Sequence, residues 1–286
     1  MATMIVNGSG FEYIEEGHGT PVIFVHGSLN DYRAWKDQMA PFSKQYRAIA
    51  YSRRYHYPNK WTGDGSDYSI DLHAQDLAAI IKSLGAGRAH LVGSSYGAYT
   101  ALMTSIKNPD LVKSIVLGEP PILPLLLPSR SPLKILSLYI KDFSTAKSYM
   151  NFGLKHMKPA TEALKNNQLE KGVRLFSTGV LGDDEYEKLS AERKAGIMDN
   201  APEFKAEMIY GGFPPFPKEE AGRMTIPALL IYGQNSPKFF QSISDRLGKI
   251  LPNNEKVVIP DAGHFIHGEN PAYYNKRVLE FLAKHD

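Results

Sequence analysis

Short apolar runs alternate with amphipathic stretches along the first half of the chain. Residues 22–25 and 46–51 are continuously apolar or nearly so, as expected for strands buried on both faces of a sheet. Residues 69–84 place apolar side chains at helical spacing, with Ser69 as the N-cap candidate and Gly85 as the stop. Further strands are predicted at 89–92, 114–117, 228–233 and 256–259, and later helices at 237–247 and 271–284. The pattern predicts a mostly parallel sheet with helices on both faces.

The alternation stops near residue 120 and resumes after residue 222. Prolines cluster at the start of this interval, and stretches rich in Lys, Glu, Leu and Met follow without an intervening strand pattern. We therefore predict an α/β core made of residues 1–119 and 223–286. Residues 120–222 are predicted to form a helical cap inserted into that core.

Composition narrows the function classes. The chain has 286 residues, a formal net charge of +3 and scattered Lys and Arg, which argues against a nucleic-acid partner. It contains no cysteine, so thiol nucleophiles, thiolate metal sites and disulfides are excluded. The sequence shows no pattern of a signal peptide or a spanning helix. We expect a soluble cytoplasmic protein of unknown oligomeric state.

A G-x-S-x-G sequence at residues 93–97 joins a predicted strand to a predicted helix. In that context it predicts a nucleophile elbow, a tight turn that holds the central serine above the sheet in a strained conformation. Glycines are needed at both ends because strand and helix pass too close there for side chains. Ser95 is therefore the candidate nucleophile.

A nucleophilic serine needs a base and donors for the developing oxyanion. His264 lies in the loop after the last predicted strand, where α/β folds place their chemistry, and is the candidate base. His267 is the reserve, expected to be structural. The oxyanion donors are expected to be the backbone N–H groups of Tyr96, after the nucleophile, and of Ser28.

Together these motifs resemble the α/β-hydrolase-fold proteins that carry a cap and need no cofactor. Residues 26–28 resemble the oxyanion turn of that family, 93–97 its elbow, 263–264 its histidine loop, and 269–271 the entry to its closing helix. The resemblance covers nearly the whole chain except the cap. It implies the α/β-hydrolase fold, a Ser-His-acid triad and no cofactor or metal.

The acid departs from the usual pattern of the family. The resemblance implies an Asp in a Gly-x-x-Asp pattern after the strand that follows the cap, but Ser236 occupies that position. Some family members carry the acid after the strand before the cap, where this chain has Glu119. We predict Glu119 as the acid. The alternatives are Asp245 or Asp261 as partner of His264, with Glu119 as a structural carboxylate, or no acid at all.

The predicted function is hydrolysis of a carboxylic ester or lactone by Ser95, His264 and Glu119. Apolar residues near Leu123 favour a small lipophilic substrate, and Arg53 is a candidate pocket residue, although a structural pairing of Arg53 or Arg54 with a core carboxylate is preferred. The resemblance implies an Asp at the elbow of dehalogenases and epoxide hydrolases, so Ser95 argues against both.

Three alternatives remain open at this point. The same triad could perform C–C bond hydrolysis, perhydrolysis or a cyclisation. A ligand-binding receptor of the same fold could retain the triad with very slow turnover. A metal- or nucleotide-dependent enzyme is poorly supported, because H-E-x-x-H, G-x-x-x-x-G-K-[ST] and G-x-G-x-x-G sequences are absent.

Overall fold

The computed structural model describes residues 1–85, 87–129 and 131–286. One sheet contains eight strands, β1 to β8, with the bounds Ala2–Val6, Ser9–Glu16, Pro21–Val25, Arg47–Tyr51, Ala89–Ser94, Val112–Gly118, Ala228–Gly233 and Asn254–Ile259. Their order across the sheet is β1-β2-β4-β3-β5-β6-β7-β8. Strand β2 pairs antiparallel with β1 and with β4, and all the other pairings are parallel.

The predicted α/β class with a mostly parallel sheet is confirmed. The antiparallel hairpin β1-β2 was not predicted, because its strands are half exposed and lack a continuous apolar run. The core helices are α1 (Lys36–Phe42), α2 (Ile70–Ser83), α3 (Tyr96–Lys107), α12 (Lys238–Gly248), α13 (Ile266–Glu269) and α14 (Pro271–Lys284).

Alternate side chains of the central strands point into two separate cores. On β3, Ile23 and Val25 join the core cluster under α2 and α3, whereas Val22 and Phe24 join the cluster that contains Trp35. Helix α2 begins as predicted, with Ser69 Oγ accepting a hydrogen bond of 3.2 Å from the N–H of Leu72. Both faces of the sheet are therefore covered, which leaves the carboxyl ends of the strands as the accessible edge.

Residues 120–222, called the helical segment below, run between β6 and β7. Within its described residues the regular elements are helices or helical turns, as expected. The α-helices are α4 (Pro132–Lys141), α5 (Phe143–Phe152), α6 (Lys158–Lys165), α7 (Leu169–Leu181), α8 (Asp183–Lys188), α9 (Ala191–Asp199), α10 (Ala201–Ala206) and α11 (Lys218–Gly222). Two π-helical turns, Gly153–Met157 and Glu207–Gly211, continue α5 and α10. The division into core and cap stays a prediction.

No helix in the described part of the chain is both long enough and apolar enough to cross a membrane.

Candidate active site

Ser95 lies at the sharp turn between β5 and α3. Its backbone has φ 52° and ψ −123°, a sparsely populated conformation for a residue with a side chain. A Cβ on Gly93 would lie 2.5 Å from Cα of Ala98, and one on Gly97 would lie 2.1 Å from the carbonyl oxygen of Val25. Both contacts are far shorter than van der Waals distance, so the close approach predicted for the two glycines is present.

Glu119 follows β6 and His264 follows β8, and their side chains meet across the end of β7, which lies between those two strands. A hydrogen bond joins Nδ1 of His264 to Oε2 of Glu119, and both side chains are buried. Phe240 stacks on the imidazole with 4.2 Å between ring centroids. A histidine whose Nδ1–H is held by a carboxylate presents Nε2 as the proton acceptor, which is the arrangement required of a general base.

Ser236 occupies the position where the resemblance implied an acid, and it contacts the acid instead of replacing it. Its Oγ donates a hydrogen bond of 2.6 Å to Oε2 of Glu119, while the N–H of Gly233 donates one of 2.8 Å to Oε1. These donors fix the carboxylate from the neighbouring strand β7. Asp245, one of the alternative acids, forms an ion pair with Lys256 at 2.7 Å. The sequence pattern identified Ser236 only as the position of a missing acid and gave no indication of its hydrogen bond to Glu119.

Glu119 reaches this place because its backbone leaves β6 in a left-handed conformation, with φ 49°. Its N–H donates a hydrogen bond of 3.1 Å to the carbonyl oxygen of Ile231 on β7. The first residue after β6 is thereby held against β7. The carboxylate of Glu119, which follows β6, therefore lies beside the loop that follows β7.

The two expected oxyanion donors lie on the same cavity wall as the nucleophile. Ser28, Ser95 and Tyr96 all line the larger of two cavities. Tyr96 is the first residue of α3, and N–H groups in the first turn of a helix have no partner within the helix. Gly27 packs against the elbow, since a Cβ there would lie 3.0 Å from Cβ of Ser95. The roles of Ser28 and Tyr96 as donors stay predictions.

The larger cavity has a volume of about 630 Å³ and a mainly apolar wall. Its apolar lining comes largely from the helical segment and α12, and it includes Leu123 as expected, together with Leu127, Ile135, Met150, Phe152, Leu154, Met157, Phe176, Phe239 and Phe240. A smaller cavity of about 120 Å³ shares Ser28 and Ser95 with the first and is lined also by His264 and Arg193. The two cavities therefore meet at the candidate nucleophile.

Arg53 was predicted as a candidate pocket residue, and this prediction is wrong. Arg53 lines neither of these cavities, because its side chain is 1% exposed and its guanidinium lies 4.7 Å from the ring centroid of Tyr96, behind the wall. The preferred alternative, a structural pairing, is confirmed for Arg54, whose Nε lies 2.6 Å from Oδ2 of buried Asp76.

Arg53 belongs instead to a buried polar cluster of Arg53, Tyr68, Glu203 and Glu207. Arg53 Nη1 donates to the Tyr68 hydroxyl at 3.2 Å, and that hydroxyl lies 2.5 Å from Oε1 of Glu203 and 3.0 Å from Oε2 of Glu207. Arg53 and Tyr68 come from the core, whereas both carboxyls come from the helical segment. The sequence analysis did not identify this cluster, because its members are separated by up to 154 positions (Arg53 to Glu207).

Burial raises the pKa of Glu207 to about 8, with a further contribution from the charge of Glu203. Burial also raises the pKa of Glu203 to about 7, against the opposing effect of Arg53. Burial lowers the pKa of Arg53, but Tyr68, Glu203 and Glu207 outweigh it and hold the pKa above its ordinary value. Near neutral pH the two carboxyls therefore retain at least one proton beside a charged guanidinium.

Three histidines pack around the same cluster. Burial lowers the pKa of His26, His56 and His73 well below the usual value, so all three are neutral at pH 7. Nε2 of His26 accepts a 2.8 Å hydrogen bond from the N–H of Arg53, which braces the loop after β4. The reserve base His267 is buried and stacks on Trp35 with 4.1 Å between ring centroids.

Comparisons with known proteins identify the family. Residues 20–271 match the family model described as the alpha/beta hydrolase fold. An uncharacterized carboxylesterase, Nap, of Bacillus subtilis (strain 168) is 24% identical over 270 residues, which cover 92% of this chain and 79% of the relative. Epoxide hydrolase 3 of Mus musculus is 24% identical over 301 residues, covering 96% of this chain and 74% of the relative.

A solved structure supports the same fold. The structure described as "Est816 as an N-Acyl homoserine lactone degrading enzyme" superposes with a TM-score of 0.71 at 21% identity, covering 98% of this chain and 100% of the other. The relatives together support a hydrolase of this fold without specifying the bond that is cleaved. With a family match that spans most of its length and the observed sheet topology, this chain belongs to the α/β-hydrolase-fold family.

Proposed function

We propose that this protein is a serine hydrolase that cleaves a carboxylic ester or a lactone through an acyl-enzyme. The observation that carries the proposal is the hydrogen bond from Nδ1 of His264 to a buried carboxylate of Glu119. That bond leaves Nε2 as the base, and the strained turn exposes Ser95 beside the same small cavity that His264 lines.

In the first step Oγ of Ser95 forms a bond to the carbonyl carbon while its proton passes to Nε2 of His264. The carbonyl oxygen becomes an oxyanion, held by the N–H groups of Ser28 and Tyr96. Glu119 stays ionised and stabilises the imidazolium. The C–O bond to the alcohol then breaks, and the alcohol oxygen takes the proton from His264. Water then attacks the acyl carbon while its proton passes to Nε2 of His264. The bond from the acyl carbon to Oγ breaks, His264 returns the proton to Oγ of Ser95, and the carboxylic acid leaves.

The two cavities indicate how a substrate lies in the site. His264 must protonate the leaving alcohol, and it lines the smaller cavity but not the larger one. The alcohol part therefore belongs in the cavity of about 120 Å³, and the acyl part in the apolar cavity of about 630 Å³. A lipophilic acyl chain with a small alcohol fits both spaces, and so does a lactone with an apolar substituent.

The residue at the elbow argues against epoxide hydrolysis, although one relative is named for that activity. Attack of a serine hydroxyl on an epoxide carbon would form an ether. An ether has no carbonyl carbon for water to attack, so turnover by the acyl-enzyme route would stop after one step. Ester and lactone carbonyls instead give a hydrolysable acyl-enzyme.

The test combines covalent labelling with turnover. A fluorophosphonate probe is expected to label the wild-type protein and to leave Ser95→Ala unlabelled, and hydrolysis of ethyl hexanoate should fall at least about 10⁴-fold in that variant. Ser94→Ala is the matched control, since it removes the neighbouring hydroxyl of the same sequence motif and should leave labelling intact. Labelling that persists in Ser95→Ala would refute the assignment of the nucleophile.

A further inference from the structure

Glu207 is an ionisable group on the wall of an otherwise mainly apolar cavity. It begins the π-helical turn Glu207–Gly211 of the helical segment. The side chain is half-buried and lines the larger cavity, so part of its remaining accessible surface faces the space assigned to the acyl chain. Burying an ionisable side chain beside apolar ones is costly unless it has partners or a function.

A single residue, Ser28, links the carboxyl of Glu207 to the site of the reacting atoms. Oγ of Ser28 donates a hydrogen bond of 2.6 Å to Oε1 of Glu207, while the N–H of Ser28 is the proposed oxyanion donor. Gly27, the preceding residue, packs so closely on the elbow that a Cβ there would lie 3.7 Å from Oγ of Ser95. A substrate carbonyl bound at Ser95 would therefore have its first acyl carbons near Glu207.

The hydrogen-bonding capacity of this carboxyl is only partly used. Each carboxylate oxygen can accept two hydrogen bonds, and within the described residues the carboxyl of Glu207 is bonded to Ser28, to Tyr68 and to the carboxyl of Glu203. Glu207 thus retains acceptor capacity for a molecule bound in the cavity.

The charge of the cluster restricts what this carboxyl can bind. Arg53 supplies one positive charge, and Glu203 and Glu207 supply one negative charge when they share a single proton. The cluster is then neutral as a whole. An anionic acyl chain would add a charge without a compensating partner in the cavity, whereas a neutral donor would not.

We propose that Glu207 is a specificity-determining residue that accepts a hydrogen bond from a neutral donor, a hydroxyl or an amide N–H, on the acyl chain near the reacting carbonyl. It also disfavours acyl chains that carry a carboxylate there. The proposal rests on the proposed function, and it narrows the substrate class to hydroxyacyl or amidoacyl esters and lactones. A purely structural role, in which Glu207 only joins the helical segment to Tyr68 and Ser28 of the core, is the competing explanation.

Three ethyl esters of equal chain length test the proposal: butyrate, racemic 3-hydroxybutyrate and the half-ester of succinate. For the wild-type protein we expect kcat/KM for the hydroxy ester to exceed that for butyrate by about tenfold, and the succinate half-ester to be the poorest. Ratios between substrates on one enzyme cancel any pH dependence that the three reactions share. Titration of the released acid at constant pH measures all three.

Two substitutions separate hydrogen bonding from charge. Glu207→Gln retains an acceptor oxygen and cannot ionise. At pH 9, where Glu207 with its pKa of about 8 is ionised in the wild-type protein, the succinate half-ester should therefore gain about tenfold in the variant, while part of the preference for the hydroxy ester remains. Glu207→Leu removes both properties, and the ratio of hydroxy ester to butyrate should fall to about 1. Glu192→Gln, which removes an exposed carboxyl of α9 that lines neither cavity, is the matched control and should leave both ratios unchanged.

Ser95→Ala protein provides a readout that does not need turnover. The dissociation constants of the three esters should follow the same order as kcat/KM, and Glu207→Gln in that background should change the order as above. Equal effects of Glu207→Gln on all three esters, or equal dissociation constants for them, would overturn the proposal and leave Glu207 as a structural contact. Absence of fluorophosphonate labelling would instead refute the proposed nucleophile, so the two failures are distinguishable.

Discussion

The strand ends and the helical segment contribute in different ways to the candidate active site. Ser95, Glu119 and His264 each follow a parallel strand, and backbone hydrogen bonds to neighbouring strands fix at least the first two. Most of the apolar cavity wall comes from helices, where side-chain packing and two π-helical turns set the shape. The helical segment also exposes large apolar side chains, which are Leu133, Leu136, Ile140, Phe143 and Leu154. Substitutions at the strand ends should therefore abolish chemistry or folding, and those in the helical segment should mainly retune selectivity.

The largest effect is expected for the acid. Glu119→Gln should lower kcat by about 10³–10⁴-fold, because a neutral amide does not stabilise the imidazolium and can hold the wrong tautomer. Ser236→Ala should cost only about tenfold, since the carboxylate remains and loses one donor. Steady-state kinetics on ethyl hexanoate measures both. A Glu119→Gln enzyme within tenfold of wild type would favour another carboxylate or none.

Two glycine-to-alanine substitutions, one at a strand end and one in the helical segment, compare the two regions through the free energy of unfolding. Gly97→Ala should destabilise the fold by more than about 3 kcal/mol or prevent folding, because the new Cβ would lie 2.1 Å from a backbone oxygen. Gly153→Ala, in the helical segment, should stabilise by about 0.5–1 kcal/mol, because its Cβ meets nothing within 4 Å and its φ of −60° is helical. Urea denaturation measures both free energies of unfolding. Similar losses for the two variants would contradict the proposed difference between the regions.

The polar cluster that joins the two regions should make stability depend on pH. An unfolded Glu loses its proton near pH 4.5, whereas burial raises the folded pKa of Glu203 to about 7 and that of Glu207 to about 8. Between these values the unfolded state binds fewer protons, so the contribution of these carboxyls to the free energy of unfolding falls as the pH rises. Four other titratable groups face the pair, namely Arg53, Tyr68, Tyr96 and His56. The charge of Arg53 and the hydrogen bond from Tyr68 lower the pKa of both carboxyls and so oppose this effect.

The free energy of unfolding of Glu203→Gln minus that of wild type should therefore rise by about 1–3 kcal/mol as the pH is raised from 5 to 7.5. Subtraction of wild-type urea curves at each pH removes the contributions of the buried histidines His26 and His73, which have the opposite sign. Nε2 of His56 lies 2.9 Å from Oε1 of Glu203, so the substitution also changes the contribution of His56. A difference that does not change with pH would show that Glu203 is ionised throughout this range.

The smallest effect is expected for the cavity wall. Phe152 lines the larger cavity and stacks on Phe239 with 5.0 Å between ring centroids, so Phe152→Ala should enlarge the acyl space. We expect kcat/KM for ethyl decanoate to rise a few-fold relative to ethyl butyrate. Phe143→Ala is the control, because Phe143 is 64% exposed and does not line the cavity. An unchanged chain-length ratio in Phe152→Ala would argue that acyl chains bind elsewhere.

Local patterns were sufficient for the parts of the fold that short-range physics controls. The buried strands are continuous apolar runs, α2 begins at the predicted N-cap Ser69, and the two glycines of the elbow are required by its close backbone contacts. The apolar runs and the N-cap depend on neighbours within a few residues, so the sequence alone contains that information. Gly97 instead lies against Val25 of β3, far away in the chain, and was indicated by the G-x-S-x-G motif. The hairpin β1-β2 escaped prediction because half-exposed strands lack a continuous apolar signal.

By itself the sequence determined the α/β class. It also predicted the elbow at Ser95 and named Glu119 as the candidate acid, because Ser236 stands where the resemblance implied one. Only the tertiary structure decided that Glu119 reaches His264, since that contact spans 145 positions and depends on β7 lying between β6 and β8, the strands that precede the two residues. It also removed Arg53 from the pocket and brought Glu207 to the cavity wall. The physical reason is that strand order and helix packing bring distant residues together, and no local pattern of apolar and polar positions records which ones will meet.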